Sequence, residues 1–304
     1  MSKIAFVFAG QGSQYPGMGQ SLYNSSKEAK RLFEMADAIR PGTSQQCFSG
    51  TKEELTRTVN TQPCLYMVDL AAARALVERG VRPVAAAGFS LGEVAALTFA
   101  GAFDDEDGFR LVCRRGQLME EAAAQHPGSM AAVLKLSNEA VEELCGRFRE
   151  IFPVNYNSAG QLVVAGSVEE MPAFCQAVSE AGGRAKQLAV GGGFHSPYMD
   201  EASRQLGEVL QGMSMMEPAI PVYANLTADR YAGDLKGILA SQVNHPVRWE
   251  KTVQRMVADG VDTFVEVGPG KTLSGLIRRI APQAACWQVE NEETLAAAVA
   301  ALAE

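Results

Sequence analysis

The sequence predicts an α/β protein in which a larger layered unit is interrupted by a smaller α/β unit. Short apolar runs that end in glycine alternate with long helical segments, as in proteins with a buried parallel sheet. The middle of the chain instead has the order strand, helix, strand, strand, helix, strand, which is that of a ferredoxin-like unit. The 304 residues, 47% of them hydrophobic, are enough for about two domains with a sizeable core.

The first part of the larger unit is predicted from two apolar runs. Ile4 to Phe8 and Val84 to Gly88 are the expected strands, both buried in a parallel sheet. Residues 85–103 are apolar over nearly a membrane length, but Ser90 and Glu93 within them favour a buried strand and helix. Helices are expected at Glu53 to Arg57, Gln62 to Glu78, Leu91 to Ala100 and about Asp105 to Ala124.

The inserted unit is predicted over residues 127–197, which leaves the larger unit in two parts at 1–126 and 198–304. Ser137 is the expected N-cap of its first helix, because a serine side chain can accept a hydrogen bond from a free helix N–H group. The expected elements are, in order, a strand at Met130 to Leu136, a helix at Ser137 to Glu150, strands at Phe152 to Asn157 and Gln161 to Ala165, a helix at Ser167 to Ala181 and a strand at Arg184 to Val190.

After the insertion, the alternation of helices and strands resumes and completes the larger sheet. Two further strands are expected, at Val222 to Asn225 and at Thr263 to Val267. Three further helices are expected, at about Tyr198 to Met213, at about Trp249 to Asp259 and at Thr272 to Ile280.

Charge and cysteine content narrow the range of functions. A net charge of −8 argues against nucleic acid as the main ligand, because phosphate binding needs a basic surface. None of the six cysteines forms a C-x-x-C pair or a zinc-site spacing with a histidine, so free thiols and a cytoplasmic location are expected. The apolar run at 4–9 is too short for the core of a signal peptide, and no membrane segment is expected.

Gly88-Phe89-Ser90-Leu91-Gly92 is a G-x-S-x-G sequence between a predicted strand and a predicted helix. Glycines on both sides permit a tight turn, which exposes the serine at a helix N-terminus. The free N–H groups of that terminus can stabilise an oxyanion. The pattern therefore indicates a nucleophilic serine, although a glycine-rich turn without chemistry has the same short signature.

A nucleophilic serine needs a base, and the sequence contains three histidines. His126 and His245 each precede a proline and are expected in loops. His195 follows three glycines and Phe194, at the end of a predicted strand and near the boundary of the insertion, where a cleft is expected. His195 is therefore the predicted base.

Six motifs follow one another along the chain, and together they cover nearly all of it. They are Ala5 to Gln14, Gly88 to Glu93, Arg115-Gly116, Phe194 to Pro197, Gln242 with Pro246 to Trp249, and Glu266 to Lys271. In this order they resemble the malonyl-CoA:acyl-carrier-protein transacylases and the acyltransferase domains of polyketide synthases. The resemblance implies an α/β-hydrolase-like large subdomain with an inserted ferredoxin-like small one. It also implies transfer of malonyl from coenzyme A to an acyl carrier protein.

The resemblance implies a catalytic role for each matching position. Ser90 would be the nucleophile and His195 the general base. Gln242 matches the position whose main-chain carbonyl orients that histidine, in place of the acid of a triad. Gln11 and Leu91 match the positions of the oxyanion hole. The implied mechanism is ping-pong through an acyl-serine, with malonyl-CoA as substrate, no metal and no tightly bound cofactor.

The resemblance also implies how the acyl group is selected. Arg115 matches the arginine that binds the malonyl carboxylate, and a planar guanidinium suits a two-pronged pair with a carboxylate. Its neighbour Arg114 is the alternative if Arg115 is only a surface charge. Phe194 resembles the malonyl-selective pattern, in which a ring leaves little room for a methyl branch. Phe89 stands where histidine is usual, so a different extender unit remains an alternative.

Docking of the acidic carrier protein onto an acidic enzyme requires a local basic patch. The resemblance places Lys271, Arg278 and Arg279 near the cleft entrance, so these are the expected docking residues, with Arg184 and Lys186 facing them across that entrance. Plain solvation of these side chains is the alternative interpretation. For the protein as a whole, the alternatives are a serine thioesterase or hydrolase, with water as acceptor, and a catalytically idle acyl-binding subunit.

Overall fold

The computed structural model of the protein describes residues 2–302 and contains a parallel sheet and a separate antiparallel sheet. The five strands of the parallel sheet are β1 (Ile4–Phe8), β2 (Ala85–Gly88), β7 (Val222–Tyr223), β8 (Thr263–Val267) and β9 (Ala285–Val289). Their order across the sheet is β7-β2-β1-β8-β9, and every neighbouring pair is parallel.

The strand predictions for the larger sheet are confirmed, with small differences in length. The predicted bounds of β1 and β8 agree with the structure, because both strands are continuous buried runs. The strand predicted at Val222 to Asn225 is only two residues long, since the chain turns away after Tyr223. Side chains of β1 alternate between two cores, so Phe6 and Phe8 pack on one face of the sheet and Ala5 on the other.

Helices cover both faces of the parallel sheet. Those before the insertion are α1 (Gln20–Ser25), α2 (Lys27–Ile39), α3 (Thr43–Ser49), α4 (Lys52–Thr56), α5 (Thr58–Glu78), α6 (Leu91–Phe99) and α7 (Asp105–Gln125). Those after it are α10 (Asp200–Gln211), α11 (Leu235–Ser241), α12 (Trp249–Ala258), α13 (Thr272–Ile280) and α14 (Glu292–Leu302). None of the helices in residues 2–302 has the length and apolar character needed to cross a membrane.

The antiparallel sheet lies within the predicted insertion. Its strands are β3 (Gly128–Leu134), β4 (Ile151–Ser158), β5 (Gln161–Ser167) and β6 (Arg184–Gln187), in the order β4-β5-β3-β6, with helices α8 (Asn138–Cys145) and α9 (Met171–Glu180). The predicted order of strands and helices is therefore confirmed. The bounds of the insertion at 127–197 stay a prediction.

Three predicted elements of the insertion are too long. Ser137 caps α8 as expected, accepting from Ala140 N at 3.2 Å, but the helix ends at Cys145 before Gly146. The helix predicted from Ser167 begins only at Met171, because the Ser167 hydroxyl instead accepts hydrogen bonds in a preceding turn. The strand predicted to Val190 ends at Gln187.

Backbone hydrogen bonds join the small sheet to the larger unit. Val247, which follows the insertion in sequence, donates to Val154 O at 2.8 Å and accepts from Tyr156 N at 2.9 Å. Asn155 and Val247 thereby form a parallel bridge, which covers the outer edge of β4. Two backbone hydrogen bonds therefore tie the two units together beside the cleft that lies between them.

Candidate active site

Ser90 lies on a tight turn between β2 and α6. Its backbone has φ 52° and ψ −102°, a region that residues other than glycine rarely occupy. The flanking glycines allow the turn: a Cβ on Gly88 would lie 1.9 Å from Gly92 C, and one on Gly92 would lie 2.2 Å from Phe8 O. The G-x-S-x-G pattern is thus required by packing, and it presents the serine hydroxyl at the start of α6.

Two buried carboxamides hold this turn. Asn225 accepts from Ser90 N at 2.7 Å through Oδ1 and donates to Gly88 O at 2.7 Å through Nδ2. Gln242 Nε2 donates to Ser90 O, also at 2.7 Å. Asn225 is itself held in place, because its backbone N–H donates to Glu93 Oε2 at 2.7 Å. The strained serine is therefore held on both sides by side chains that solvent does not reach.

His195 contacts the serine hydroxyl directly. Its Nε2 lies 2.7 Å from Ser90 Oγ, and its Nδ1 lies 2.9 Å from Gln242 O and 3.2 Å from His245 O. Carbonyl oxygens only accept, so Nδ1 carries the proton and Nε2 is free to accept one. Burial, together with the positive charge of Arg115, lowers the pKa of His195 to about 4. The imidazole is therefore neutral at neutral pH.

The other two histidines are placed differently. His126 follows the last residue of α7 and is exposed. His245 is also exposed, and its ring Nδ1 lies 2.8 Å from Ser241 O. His245 takes part in the site only through its main-chain carbonyl, which accepts from His195. Of the three histidines, His195 alone has its ring beside Ser90.

Arg115 is buried on α7 and also reaches the serine. Its Nη2 donates to Ser90 Oγ at 3.2 Å and to Gln242 Oε1 at 2.7 Å, and its Nη1 donates to Gln62 Oε1 at 2.9 Å. Burial lowers the pKa of Arg115 to about 10, so the guanidinium stays charged at neutral pH. Arg114 instead lies on the solvent side of α7, with its Nη1 3.8 Å from Glu121 Oε1. The two adjacent arginines therefore point in different directions, and only Arg115 reaches the serine.

The two predicted oxyanion-hole residues lie next to the serine. Leu91 is the first residue of α6, so its N–H has no acceptor within the helix. Gln11 follows β1 and lines the same small chamber as Ser90, while its Nε2 donates to Thr58 Oγ1 at 3.3 Å. Gly10 lets this loop approach the turn, because a Cβ there would lie 2.7 Å from Phe89 O.

Ser90 opens into a chamber of about 90 Å³ that continues into a cleft of about 430 Å³ between the two units. Phe194 lines the chamber. Phe89 lines both spaces and packs edge-on against Trp249, with ring centroids 5.6 Å apart. Asn155 and Asn157 line the cleft, and their Oδ1 atoms have no hydrogen-bond partner within residues 2–302. The chamber walls are otherwise mainly apolar, from Met119, Met130, Leu188 and Val190.

The predicted docking residues lie on and before α13, and the three are exposed. Arg279 Nη1 donates to Gln161 Oε1 at 2.7 Å across the cleft, whereas Arg278 Nη2 donates to Cys286 O at 3.2 Å on β9. Lys271 precedes the first residue of α13. The two basic residues predicted on the facing wall, Arg184 and Lys186, lie on β6 of the antiparallel sheet, where they are paired with Leu134 and Ala132 of β3. Gln161 is paired with Leu134 from the other side, so it belongs to the same sheet as the two basic residues.

Asn225 and Gln62 contact the site, although sequence reasoning did not single them out. Asn225 follows the short strand β7, at the edge of the sheet where parallel strands commonly present functional side chains. Gln62 is a polar residue within the apolar, buried part of α5. These two signals, a polar residue after a parallel strand and one in a buried helix, would have pointed to both.

A serine and a histidine in contact, on a strand-to-helix turn of an α/β fold, define an acyl-transferring enzyme of the serine type. The sequence matches the family described as acyl transferase domain over residues 5–297, and the chain belongs to that family. It is 39% identical to the malonyl CoA-acyl carrier protein transacylase of Bacillus subtilis (strain 168), over 100% of this chain and 98% of that protein. The corresponding protein of Escherichia coli (strain K12) is 36% identical, with coverages of 98% and 99%.

Solved structures agree with these sequence relationships. The malonyl CoA-acyl carrier protein transacylase from Clostridium perfringens superposes with a TM-score of 0.96 at 34% identity, covering 99% of this chain and 98% of that one. A malonyl-transacylase in complex with its type II polyketide synthase acyl-carrier protein has a TM-score of 0.95 at 34% identity, with coverages of 99% and 100%. The predicted family and fold class are therefore confirmed.

Proposed function

We propose that the protein transfers malonyl from malonyl-CoA to the phosphopantetheine thiol of an acyl carrier protein, in fatty acid or polyketide synthesis. The observation that carries this proposal is the buried guanidinium of Arg115, 3.2 Å from Ser90 Oγ, beside a chamber of only about 90 Å³. A charged acyl group with a free carboxylate matches both the charge and the small space. The names of the relatives support the same substrate and partner.

The first half-reaction forms the acyl-serine. Ser90 Oγ attacks the thioester carbonyl carbon while His195 Nε2 takes the hydroxyl proton. The N–H groups of Leu91 and Gln11 stabilise the oxyanion, and Arg115 holds the free carboxylate of malonyl. When the C–S bond breaks, His195 returns its proton to the sulfur, and coenzyme A leaves as a thiol.

The second half-reaction reverses these steps with a different thiol. The phosphopantetheine thiol gives its proton to His195 and attacks the acyl-serine carbonyl. The C–O bond to Ser90 then breaks, and His195 restores the proton to Oγ. Every proton is therefore carried by one imidazole, and the route requires no metal or bound redox cofactor.

The larger cleft is the proposed channel for the pantetheine arm that both thioesters share. The cleft has a volume of about 430 Å³ and leads to the chamber at Ser90, and Phe89 and Gln11 line both spaces. Asn155 and Asn157 line the cleft with carboxamides whose Oδ1 atoms have no partner within residues 2–302, and these carboxamides would hydrogen-bond to the amide groups of pantetheine. Arg279 lies at the rim of the cleft through its bond to Gln161, and Lys271, Arg278 and Arg279 remain the proposed docking residues for the carrier protein.

Selection of malonyl over branched acyl groups is proposed to depend on the chamber walls. Phe194 lines the chamber beside His195, so a methyl branch on the acyl group would have to displace it. One methyl group is worth about 1–3 kcal/mol of discrimination in such a pocket. Phe89 is turned against Trp249, and its replacement of the usual histidine is proposed to be compatible with turnover.

The cytoplasm is the proposed location, and residues 127–197 are the proposed extent of the inserted subdomain. The thiol groups support the location, because all six cysteines are free. The antiparallel sheet supports the proposed extent of the subdomain. Among the strands named in residues 2–302, β3, β4, β5 and β6 form ladders only with one another.

Mass spectrometry of the intact protein, after incubation with a panel of acyl-CoAs, tests the proposal directly. Malonyl should accumulate on Ser90, while acetyl and methylmalonyl should load more slowly. Adding a carrier protein should then discharge the malonyl group to its thiol faster than water does. Rapid hydrolysis without a preference for the thiol would instead identify a thioesterase, and a lack of any acyl adduct would indicate a binding subunit.

A further inference from the structure

Arg115 is a buried cation whose hydrogen-bond partners in residues 2–302 are all neutral. Only 1% of the residue is exposed, yet its acceptors are the oxygens of Gln62, Gln242 and Ser90. Its Nε has no partner among the described residues. Buried guanidinium groups are ordinarily paired with a carboxylate, because an isolated charge is costly to desolvate. The arrangement therefore leaves the positive charge available to a ligand.

Gln62 lies behind the chamber wall, and two contacts orient its carboxamide. Its Oε1 accepts from Arg115 at 2.9 Å, and its Nε2 lies 3.2 Å from Met119 Sδ. A guanidinium has only donors, so the oxygen must face Arg115. Gly116 lets α5 and α7 approach each other here, since a Cβ on it would lie 3.1 Å from Thr58 O. The close packing of the two helices therefore fixes Gln62 against the arginine.

We propose that Gln62 is a specificity-determining residue, which anchors Arg115 without neutralising it and so reserves the guanidinium for the free carboxylate of the acyl group. Glutamate has nearly the shape of glutamine, but it would place a permanent carboxylate on the same nitrogen. Glu93, the acidic side chain whose charge acts on Arg115, is kept off it because Tyr231 and Asn225 occupy its two oxygens. The inference rests on the proposed malonyl transfer by this site.

The role of Gln62 is tested by comparing malonyl-CoA with acetyl-CoA as acyl donors for the Gln62→Glu variant. The measured quantity is the ratio of the two kcat/KM values, because damage to the fold or to Ser90 lowers both and leaves the ratio unchanged. The ratio should fall on the order of 100-fold, since the introduced carboxylate competes with malonyl for Arg115. Gln62→Met, which removes the acceptor but adds no charge, should lower the ratio less than about 10-fold.

The outcomes show whether the anchoring role of Gln62 fails alone or together with the proposed malonyl transfer. Arg115→Ala should lower the ratio; if it does not, Arg115 is not the carboxylate site, and both the proposed malonyl clamp and this inference are overturned. If Arg115→Ala lowers the ratio but Gln62→Glu does not, the inference alone fails. Equal losses in Gln62→Glu and Gln62→Met would also overturn it. Should Gln62→Glu not fold, Gln62→Asp carries the same test, because it brings a less bulky carboxylate to the guanidinium from the same position.

Discussion

The nucleophile and base at the reaction end of the cleft are more completely hydrogen-bonded than the carboxamides at its entrance. At the reaction end, Ser90 and His195 are held by short hydrogen bonds to Asn225 and Gln242, both fully buried. At the entrance, by contrast, the carboxamide of Asn157 has an oxygen without a partner in residues 2–302. The reacting groups are thus arranged before substrate binds, whereas we expect the carboxamides at the entrance to gain their partners when substrate binds.

This difference separates two kinds of kinetic effect. A change at the reaction end should displace groups that act in the transition state, so it should lower kcat. A change at the entrance should remove contacts made equally in the ground and transition states, so it should raise KM. Five measurements, in order of decreasing change, show whether the two ends differ in this way.

Removal of the nucleophile or the base should have the largest effect. Ser90→Ala should abolish the acyl-enzyme, and His195→Ala should lower kcat on the order of 10⁵- to 10⁶-fold, because serine is a poor nucleophile without its base. Intact-protein mass spectrometry and steady-state transfer measure the two effects. A malonylated Ser90→Ala protein would show that another residue is the nucleophile, and near-normal transfer by His195→Ala would move the role of base to His126 or His245.

Loss of Asn225 should be the next largest effect. Asn225→Ala removes the bonds to Ser90 N and Gly88 O, so the strained turn should relax and carry the hydroxyl away from His195. We expect kcat to fall about 10²-fold, with little change in KM, as when a reacting group moves by about 1 Å. Asn157→Ala is the matched control, since it removes the same kind of side chain from the entrance instead of the reaction end. A rise in KM without loss of kcat in Asn225→Ala would contradict the division between the two ends.

The pH dependence of serine acylation should report the lowered pKa of His195. The imidazole must be neutral to accept a proton, so activity should be flat at neutral pH and fall about 10-fold per pH unit below about pH 4. An uncharged ester is the substrate of choice, because malonyl titrates in the same range. In Arg115→Ala a neighbouring positive charge is lost, so the inflection should move to higher pH. An inflection near 6.5 in the unmodified protein would mean that His195 is not desolvated.

Removal of an entrance carboxamide should have a moderate effect. Asn157→Ala should raise the KM for malonyl-CoA about 2- to 10-fold and leave kcat unchanged, because one neutral hydrogen bond to pantetheine is lost. Steady-state kinetics with malonyl-CoA provides the measurement. If kcat falls and KM does not change, Asn157 takes part in the chemistry, and the entrance is not merely a binding surface.

Charge reversal at the rim should have the smallest effect. Arg278→Glu with Arg279→Glu should raise the KM for the carrier protein several-fold, and the step should weaken as salt rises, because exposed charges are screened within about 10 Å at 0.1 M. Formation of the acyl-enzyme from malonyl-CoA should change little. Arg147→Glu, at an exposed arginine that lines neither the chamber nor the cleft, is the control. Unchanged carrier-protein kinetics across a salt series would remove these arginines from the docking surface.

Continuous patterns made the core of the fold predictable from the sequence. Ile4–Phe8 and Thr263–Val267 have the predicted bounds, because each is a continuous buried run that ends shortly before a glycine. The amphipathic helix Thr272–Ile280 also has its predicted bounds. The helices at Gln20–Ser25 and Thr43–Ser49 were not predicted. Each is preceded by a glycine in the left-handed region instead of a capping side chain, so the usual start signal is absent.

Tertiary packing explains other differences from the sequence prediction. The helix predicted from Gln62 begins at Thr58 and continues through Pro63, which is disfavoured locally but is tolerated in a buried, well-packed helix. In the site, the G-x-S-x-G pattern and the choice among three histidines brought out Ser90 and His195, and the resemblance of the ordered motifs brought out Gln242 and Arg115. The contacts of Asn225 and Gln62 depend on side chains that are far apart in sequence, and local patterns carry no information about them.

The bridge at Val247 has a consequence for how this protein can be recombined with its relatives. Two backbone bonds tie β4 to a residue that lies outside the predicted insertion at 127–197. A chimera that exchanges residues 127–197 alone would pair a foreign edge strand with the resident Val247, and the width of the cleft would depend on that mismatch. The smallest exchangeable part is therefore the insertion together with the segment around Val247, a discontinuous module that a single crossover at each end of the insertion would divide.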